Sequence, residues 1–443
     1  MRNLHLLLLT LSALIALPVA AGSPAPTPAP IWRLDFMHEG GNAAAETFAI
    51  EQLLEEPQRW SGPTQDGLER GDYKVELFEI GAAKPWFSYS YSSVYSDWSH
   101  GVEATSSRKT FQESVRFPAP ANDSTLIISR RKLDQEGQPF ERVWQTSIDA
   151  NTKPVTALSE LPTIARDLEI HGAPESHLDL LFIAEGFTEK EREKFFDAAQ
   201  QASETLFGVE PYASLREKFN VRALFLPSSE ATLGGDTALK VNPNALGMAR
   251  YALTMEDHRL RNAAMQVPYD NIVILTNSST YSASGIYRAY TVVPVFEPRM
   301  RFLLVHELGH HLAGLADEYF HATPGYADAE KVVEPHEPNI TALLDKKNLK
   351  WAHLIKASTP LPTPWQKQRY LDTLKGDQSW LLEEPYINEV GAFQGANYSP
   401  TQYYRPTLNC LMLRDGGDNQ FCPVCANGIR EVIEATAGSD VGK

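Results

Sequence analysis

Basic residues run short in this chain. Its 443 residues hold 40 Lys and Arg against 56 Asp and Glu, a formal net charge of −16. A surface of that sign repels phosphate backbones and anionic headgroups, which argues against nucleic-acid partners and electrostatic attachment to membranes. Cysteine is scarcer still: only Cys410, Cys422 and Cys425 occur. Three thiols cannot hold a large scaffold together, so stability has to come from burial. A chain of this length with 43% hydrophobic residues has the apolar surface to supply it. Beyond the first residues no apolar stretch is long enough to cross a bilayer, so membrane insertion has no basis in the sequence. No segment repeats another.

What is present begins with an export signal. Arg2 gives the positive start, Leu6 to Leu17 the apolar stretch, and Val19-Ala20-Ala21 a small-residue cleavage site. Residues 1–21 are therefore expected to be removed, leaving a secreted or periplasmic protein. Residues 22–30 alternate proline with small residues and form a stiff spacer. From 31 to 153 the segments Ile31–Met37, Tyr73–Glu79, Trp86–Tyr91, Thr110–Phe117, Thr125–Ile128 and Val143–Ile148 are short, rich in aromatic and β-branched residues, and separated by turn formers. They predict an antiparallel β-sandwich, with Trp60, Trp86, Trp98 and Trp144 as core. Residues 154–172 read as a linker.

From 173 to 443 the pattern changes. Leu180–Ala184 is a continuous apolar run, as a strand buried on both faces requires. Thr188 and Glu191 have the spacing of a capping box. Phe195, Ala199, Ala202 and Leu206 mark the buried stripe of the helix that follows. Val221–Leu226, Asn271–Thr276 and Ala289–Val295 predict further strands, and Asn244–Gln266 a helix. Alternating strands and helices imply a mostly parallel sheet with helices packed on it. The expected class is thus α+β in two domains, a β-sandwich followed by an α/β domain.

The chemistry concentrates in Val305-His306-Glu307-Leu308-Gly309-His310. Residues four apart share a helix face, so His306 and His310 can hold one zinc ion, while Glu307 reaches a water beside it and takes its proton. Phe302 to Val305 supply the apolar lead-in of a buried helix. His311 lies about 100° further round and reads as a surface residue or a partner of a ligand. A third ligand must follow the helix. Gly314 can end it with positive φ and turn the chain back, which makes Asp317 the first candidate and Glu318 the second; Glu330 and Glu334 are more distant alternatives. The acidic stretch Asp328 to Glu337 reads as a solvated loop in preference to a calcium site. For the cysteines, a disulfide from Cys410 to Cys422 or Cys425 is expected in an exported chain. The alternative is half a zinc knuckle at Cys422-Pro423-Val424-Cys425, completed by a histidine or an acid. Thr280 to Gly285 is expected to rim the cleft, with the strand after it lending its edge to an extended peptide. Asn339-Ile340-Thr341 matches a glycosylation sequon.

The stretch from His306 to Tyr319, ending Gly314-Leu315-Ala316-Asp317-Glu318-Tyr319, resembles the signature of the IgA-peptidase family of zinc metallopeptidases. Leu181 to Thr188, Tyr269 to Ile274, Pro338 to Thr341, Tyr404-Arg405-Pro406 and Cys410-Leu411-Met412 resemble further blocks of that family. The β-rich first half is similar to its amino-terminal domain. The resemblance implies a secreted two-domain endopeptidase of metzincin-like architecture, with Met412 in a methionine turn beneath the metal. Two departures stand out. Metzincins carry a third histidine close to where this chain has Asp317, and Gln394 stands where the family is expected to show an acid. Tyr403 and Tyr404 precede the methionine turn, and Tyr404 is the candidate phenol for stabilising an oxyanion. The expected function is hydrolysis of protein or peptide substrates with Zn2+ held by His306, His310 and Asp317, Glu307 as general base, and the chain acting as a monomer. The competing readings are an adhesin-like secreted binding protein with a vestigial metal site, and a zinc hydrolase acting on a non-peptide bond.

Overall fold

The computed structural model describes residues 29–437 apart from 61, 157–160, 322–330, 375–376 and 416–419. The expected signal at 1–21 and most of the spacer at 22–30 therefore lie outside the described residues. The first half holds two four-stranded sheets. In the first, β1 (Pro30–Gly41) pairs antiparallel with β2 (Ala44–Arg59) and with a later strand, β5 (Arg108–Pro118). In the second, β3 (Tyr73–Glu79) lies between β4 (Phe87–Tyr91) and β6 (Ser124–Arg131), and β7 (Phe140–Ile148) pairs with β6. A short helix, α1 (Val94–Ser99), follows β4, and β8 (Val155–Thr156) adds parallel to β2. Trp98 is buried. Trp60, Trp86 and Trp144 pack half-buried against the same core.

β2 was not foreseen. Ala44-Ala45-Glu46 and Leu53-Leu54-Glu55-Glu56 are helix formers, but β1 offers a ladder along its whole length, shifted in register at three points, and the hairpin turn at Asn42-Ala43, both at positive φ, starts the pairing. Strand propensity is a weak term beside that pairing.

The second half centres on a six-stranded sheet. Its parallel core runs β14 (Tyr290–Pro294), β12 (Asn271–Thr276), β10 (Leu178–Glu185) and β11 (Phe219–Phe225). Antiparallel strands close both edges: β9 (Ile164–Glu169) and β13 (Ser284–Ile286). β9 falls within the segment expected as linker. β14 is flanked on both sides, which overturns its reading as a free edge for substrate. The edge belongs to β13, and Tyr251 already bridges to Ala283 at its start.

The alternation along β10 explains its apolar run. Leu180, Phe182 and Ala184 enter a core with α2 (Arg192–Leu206), α4 (Met300–Ala313) and α6 (Pro423–Thr436). Leu181 and Ile183 enter a second core, shared with α3 (Asp257–Ala264) and with β1 residues Trp32, Leu34 and Phe36. The box at Thr188 and Glu191 caps the start of α2 after one 3-10 turn. The helix expected over Asn244–Gln266 is confined to α3, because Asn242 and Tyr251 are drawn into bridges with Leu253 and Ala283.

The two halves meet through a seam of buried charge. The Arg33 guanidinium, with no exposure, pairs with Asp35 and Glu56 and reaches Asn262 of α3. Arg116 stacks on Tyr269, whose hydroxyl donates to Glu56 at 3.1 Å. Buried charges of this kind cost free energy unless paired, and here each finds its partner on neighbouring elements of the seam. A small helix, α5 (Lys367–Asp372), and a hairpin of β15 (Phe393–Ala396) and β16 (Ser399–Arg405) lie between α4 and α6 in the chain.

Candidate metal centre

α4 carries His306, Glu307 and His310, and its surroundings fix how they are aimed. It lies against β13 and β14 on one side and α2 and α6 on the other. Leu303, Leu304, Val305, Leu308 and Leu312 are buried. Gly314, at φ 59°, ends it as a left-handed cap, the conformation that a glycine adopts without strain. The first half contributes at this end too. Arg70 Nη1 donates to the carbonyls of Ala313 and Gly428 at 2.8 Å each, so one guanidinium ties the helix terminus to α6.

His306 Nδ1 lies 2.9 Å from the Leu411 carbonyl and His310 Nδ1 2.6 Å from the Leu315 carbonyl. A carbonyl only accepts, so both Nδ1 atoms carry a proton, and each ring in its neutral form presents a lone pair at Nε2. Those two Nε2 atoms are 3.3 Å apart. Asp317 Oδ1 is 3.1 Å from the first and 3.3 Å from the second, and it has no hydrogen-bond donor among the described residues. Three acceptor atoms aimed at one point need a cation between them. A proton serves one pair; a divalent ion serves all three. Ligands about 2.0–2.1 Å from a tetrahedral ion stand about 3.3 Å from each other, which is the triangle found here. The donor set and its spacing fit the metal that the motif implies.

Burial would lower the His310 imidazole, but the Asp317 carboxylate outweighs it and holds it up at about 9. Burial would raise Asp317; His310 and His306 outweigh it and hold the carboxyl below the ordinary range. Glu307 is half-buried beside the triangle, and burial raises its carboxyl above the usual value. Tyr281 lies within electrostatic reach of it, its phenol raised by burial and by the Glu307 charge. Met412 lies under the helix with no exposure: a Cβ on Gly309 would come 2.9 Å from its sulfur.

The approach of β13 is closer still. A Cβ on Gly285 would sit 2.0 Å from the Glu307 carbonyl oxygen, a contact that only backbone movement could relieve. Gly285→Ala should therefore destabilise the fold by roughly 1–3 kcal/mol and lower specific activity, read by denaturant melts beside a peptide-cleavage assay. Wild-type values in both would mean that the helix has room to yield.

Several sequence readings change. Tyr404 lies in β16 opposite Gln394, its backbone bonded both ways to Thr341. The phenol that arrives is Tyr398, in the turn between β15 and β16. That turn folds back over the chain after α4, with Asn397 N donating to Asp317 O at 2.9 Å and Tyr398 N to Tyr319 O at 3.0 Å. The Tyr398 hydroxyl donates to Asp317 Oδ2 and lies 3.1 Å from the Tyr319 hydroxyl. Nothing in the sequence near Tyr398 marked it.

His311 is fully buried, Nε2 2.9 Å from Asn271 Oδ1, with burial pulling its imidazole down to about 3; it is a neutral core residue and not a surface one. Asn339 is buried and spans Ala316 with both ends of its amide while reaching Glu318, so the sequon is a clamp on the turn and not a glycan acceptor. Glu334 accepts from Ala342 N and faces Lys350, while Glu330 lies outside the described residues. Lys350 also donates to the carbonyls of Glu337 and Ile340, which puts an ammonium at the described end of the acidic stretch; Asp328 lies outside the described residues. Gln394 accepts from Lys367 Nζ at 2.7 Å. The cysteines are free thiols, against the expected disulfide.

Residues 167–380 and 370–433 match the family profile described as IgA peptidase M64, and residues 29–143 match the one described as peptidase M64 N-terminus. No curated protein matches the chain.

Proposed function

The chain belongs to the IgA peptidase M64 family, which makes it a metal-dependent peptidase, and we propose that it is a secreted zinc endopeptidase with His306, His310 and Asp317 as ligands and Glu307 as general base. The observation that carries this reading is the triangle of Nε2, Nε2 and Oδ1 with both Nδ1 protons committed to carbonyls. When bound, the ion supplies Lewis-acid chemistry, polarising the scissile carbonyl and easing the deprotonation of water.

The chain's own groups do the rest. Glu307 accepts the proton of the attacking water and passes it to the leaving amine; its raised carboxyl suits both duties better than an ordinary glutamate would. The Leu411 and Leu315 carbonyls hold the two imidazoles in one tautomer and one orientation. Tyr398 holds Asp317 by its second oxygen, leaving the first aimed between the rings. The Met412 side chain forms the floor, which supports a metzincin-like reading of the catalytic half. The two four-stranded sheets support the β-sandwich reading of the first half, while β8 and β9, inside the segment expected as linker, add to the sheets on either side of it. No helix among the described residues is long and apolar enough to cross a membrane. The cavity lined by Tyr89, Arg116, Arg261, Tyr269 and Arg288 lies at the seam and is lined by none of His306, Glu307, His310 and Asp317, so substrate is expected at the exposed side of Glu307 and His310 instead.

The test is cleavage of a mixed library of unfolded proteins by the purified chain, with and without a chelator. Chelator-sensitive cleavage at internal bonds supports the reading. Unaltered substrates after addition of zinc would overturn it. A narrower test addresses Tyr398: its replacement by Phe should weaken the ion roughly 10–100-fold with little loss of stability, measured by competition against a chromogenic chelator. Unchanged affinity would reduce the phenol to packing.

A further inference from the structure

The residue after Asp317 points to a second centre. Cys410, Cys422, Cys425 and Glu318 offer three sulfurs and one carboxylate oxygen that all lie within 4.8 Å of one another, and all four residues are buried. Cys410 Sγ is 3.6 Å from Cys425 Sγ; Glu318 Oε1 is 3.0 Å from Cys425 Sγ and 3.9 Å from Cys422 Sγ. Sulfurs held about 2.3 Å from a tetrahedral ion stand about 3.8 Å apart, so this spacing is that of ligands around one ion. The second oxygen of Glu318 is buried without a hydrogen-bond partner among the described residues. A fully buried carboxylate among three thiols is costly to keep unless a cation joins it.

The helix terminus and nearby donors can stabilise negative charge on these sulfurs once an ion is bound, most of all at Cys422. Cys422 is the N-cap of α6 and Cys425 lies in its first turn, where the helix dipole stabilises negative charge. Backbone N–H groups point at sulfur: Met412 N and Cys422 N at Cys410 Sγ, 3.5 and 3.3 Å away, and Cys425 N at Cys422 Sγ, 3.5 Å away. The Arg405 guanidinium, buried and stacked on Trp365 at 4.4 Å, lies within electrostatic reach of Glu318 and Cys410, and its Nε and Nη2 have no acceptor among the described residues. It offsets part of the charge that a divalent ion leaves over.

We infer that Glu318, Cys410, Cys422 and Cys425 form a second, structural metal site that takes a thiophilic divalent ion, zinc foremost. Soft sulfur ligands select that class of ion, and four protein ligands leave no open position for a reacting water. Binding releases the thiol protons to solvent and leaves every sulfur at its original oxidation level. The site joins two segments that also touch the histidine triangle, Ala316–Glu318 through Asp317 and Cys410–Met412 through the Leu411 carbonyl, to the start of α6. It is a staple behind the catalytic floor. The inference shares with the proposed function only the assignment of Asp317, and not Glu318, to the triangle.

The experiment is metal analysis and cobalt substitution of the whole chain, alongside a His306→Ala/His310→Ala variant. Two equivalents of ion are expected in the wild type and one in the variant. Cobalt protein of either kind should show a thiolate-to-metal charge-transfer band. The wild type carries that readout even if the variant folds poorly, because His306, His310 and Asp317 contain no sulfur. Adding Cys422→Ser should abolish or shift the band. A cobalt wild type without the band, or a disulfide between any two of the cysteines on peptide mapping, overturns the second site. Retention of two equivalents by the histidine variant would overturn the catalytic assignment and leave this one standing.

Discussion

Glu307→Gln should leave the ion in place and reduce kcat/KM by roughly 10²–10⁴-fold. The substitution keeps the side chain's size and its acceptor oxygen but removes the capacity to carry a proton. Glu307 is absent from the His306, His310 and Asp317 triangle, so ion content should stay at the wild-type value. The effect should fall mainly on kcat, since the proton moves in the transition state and the ground state keeps its contacts. Metal analysis and steady-state cleavage of one mapped peptide check both halves. Activity within about tenfold of wild type would hand the base role to another group. Joint loss of ion and activity would make Glu307 a structural neighbour of the site.

Asp317→Ala should remove the ion from the triangle and take cleavage to background. The carboxylate contributes the only negative charge among the three ligand atoms, and its Oδ1 stands about equally far from both rings. Without it, two neutral imidazoles face each other across 3.3 Å with nothing to complete the coordination. Affinity should fall by more than the roughly 10–100-fold that follows the loss of an outer partner, which sets this variant apart from Tyr398→Phe. Competition with a chromogenic chelator measures the fall. An ion still bound with near-native affinity would mean that the third ligand lies elsewhere. The place of Asp317, close to where metzincins carry a third histidine, would then need another explanation.

Both effects turn on the step from Asp317 to Glu318. The chain between Leu315 and Phe320 is neither helix nor strand, yet its neighbouring carboxylates go to different places: Asp317 to the histidines, Glu318 to the thiols. Consecutive side chains in an extended segment point to opposite sides. Reach alone could not separate the two residues, because both lie within one turn of the glycine that ends α4. What separates them is the packing on either side: α4 on one, and the start of α6 with Cys410 on the other. Asn339 and the Tyr398 turn hold the segment in that register. Their partners lie 20 or more residues away in sequence, so neither left a local mark. Tyr404 was favoured for its nearness in sequence to Met412, and the turn of the hairpin delivered Tyr398 instead.

The order of elements in the catalytic half was legible because its signals are local. A doubly buried strand needs an apolar run, an amphipathic helix needs its stripe and cap, and a pair of histidines four apart must share a helix face whatever surrounds it. The sequence by itself thus determined α2, α4, the parallel strands and the pairing of His306 with His310. Tertiary structure alone decided which carboxylate completes the triangle, that three thiols and Glu318 converge behind it, and that β2 is a strand despite its helix-forming residues. The reason is range: periodicity and caps act over one or two turns of chain, whereas these outcomes depend on contacts between segments brought together only when both faces of the central sheet are covered.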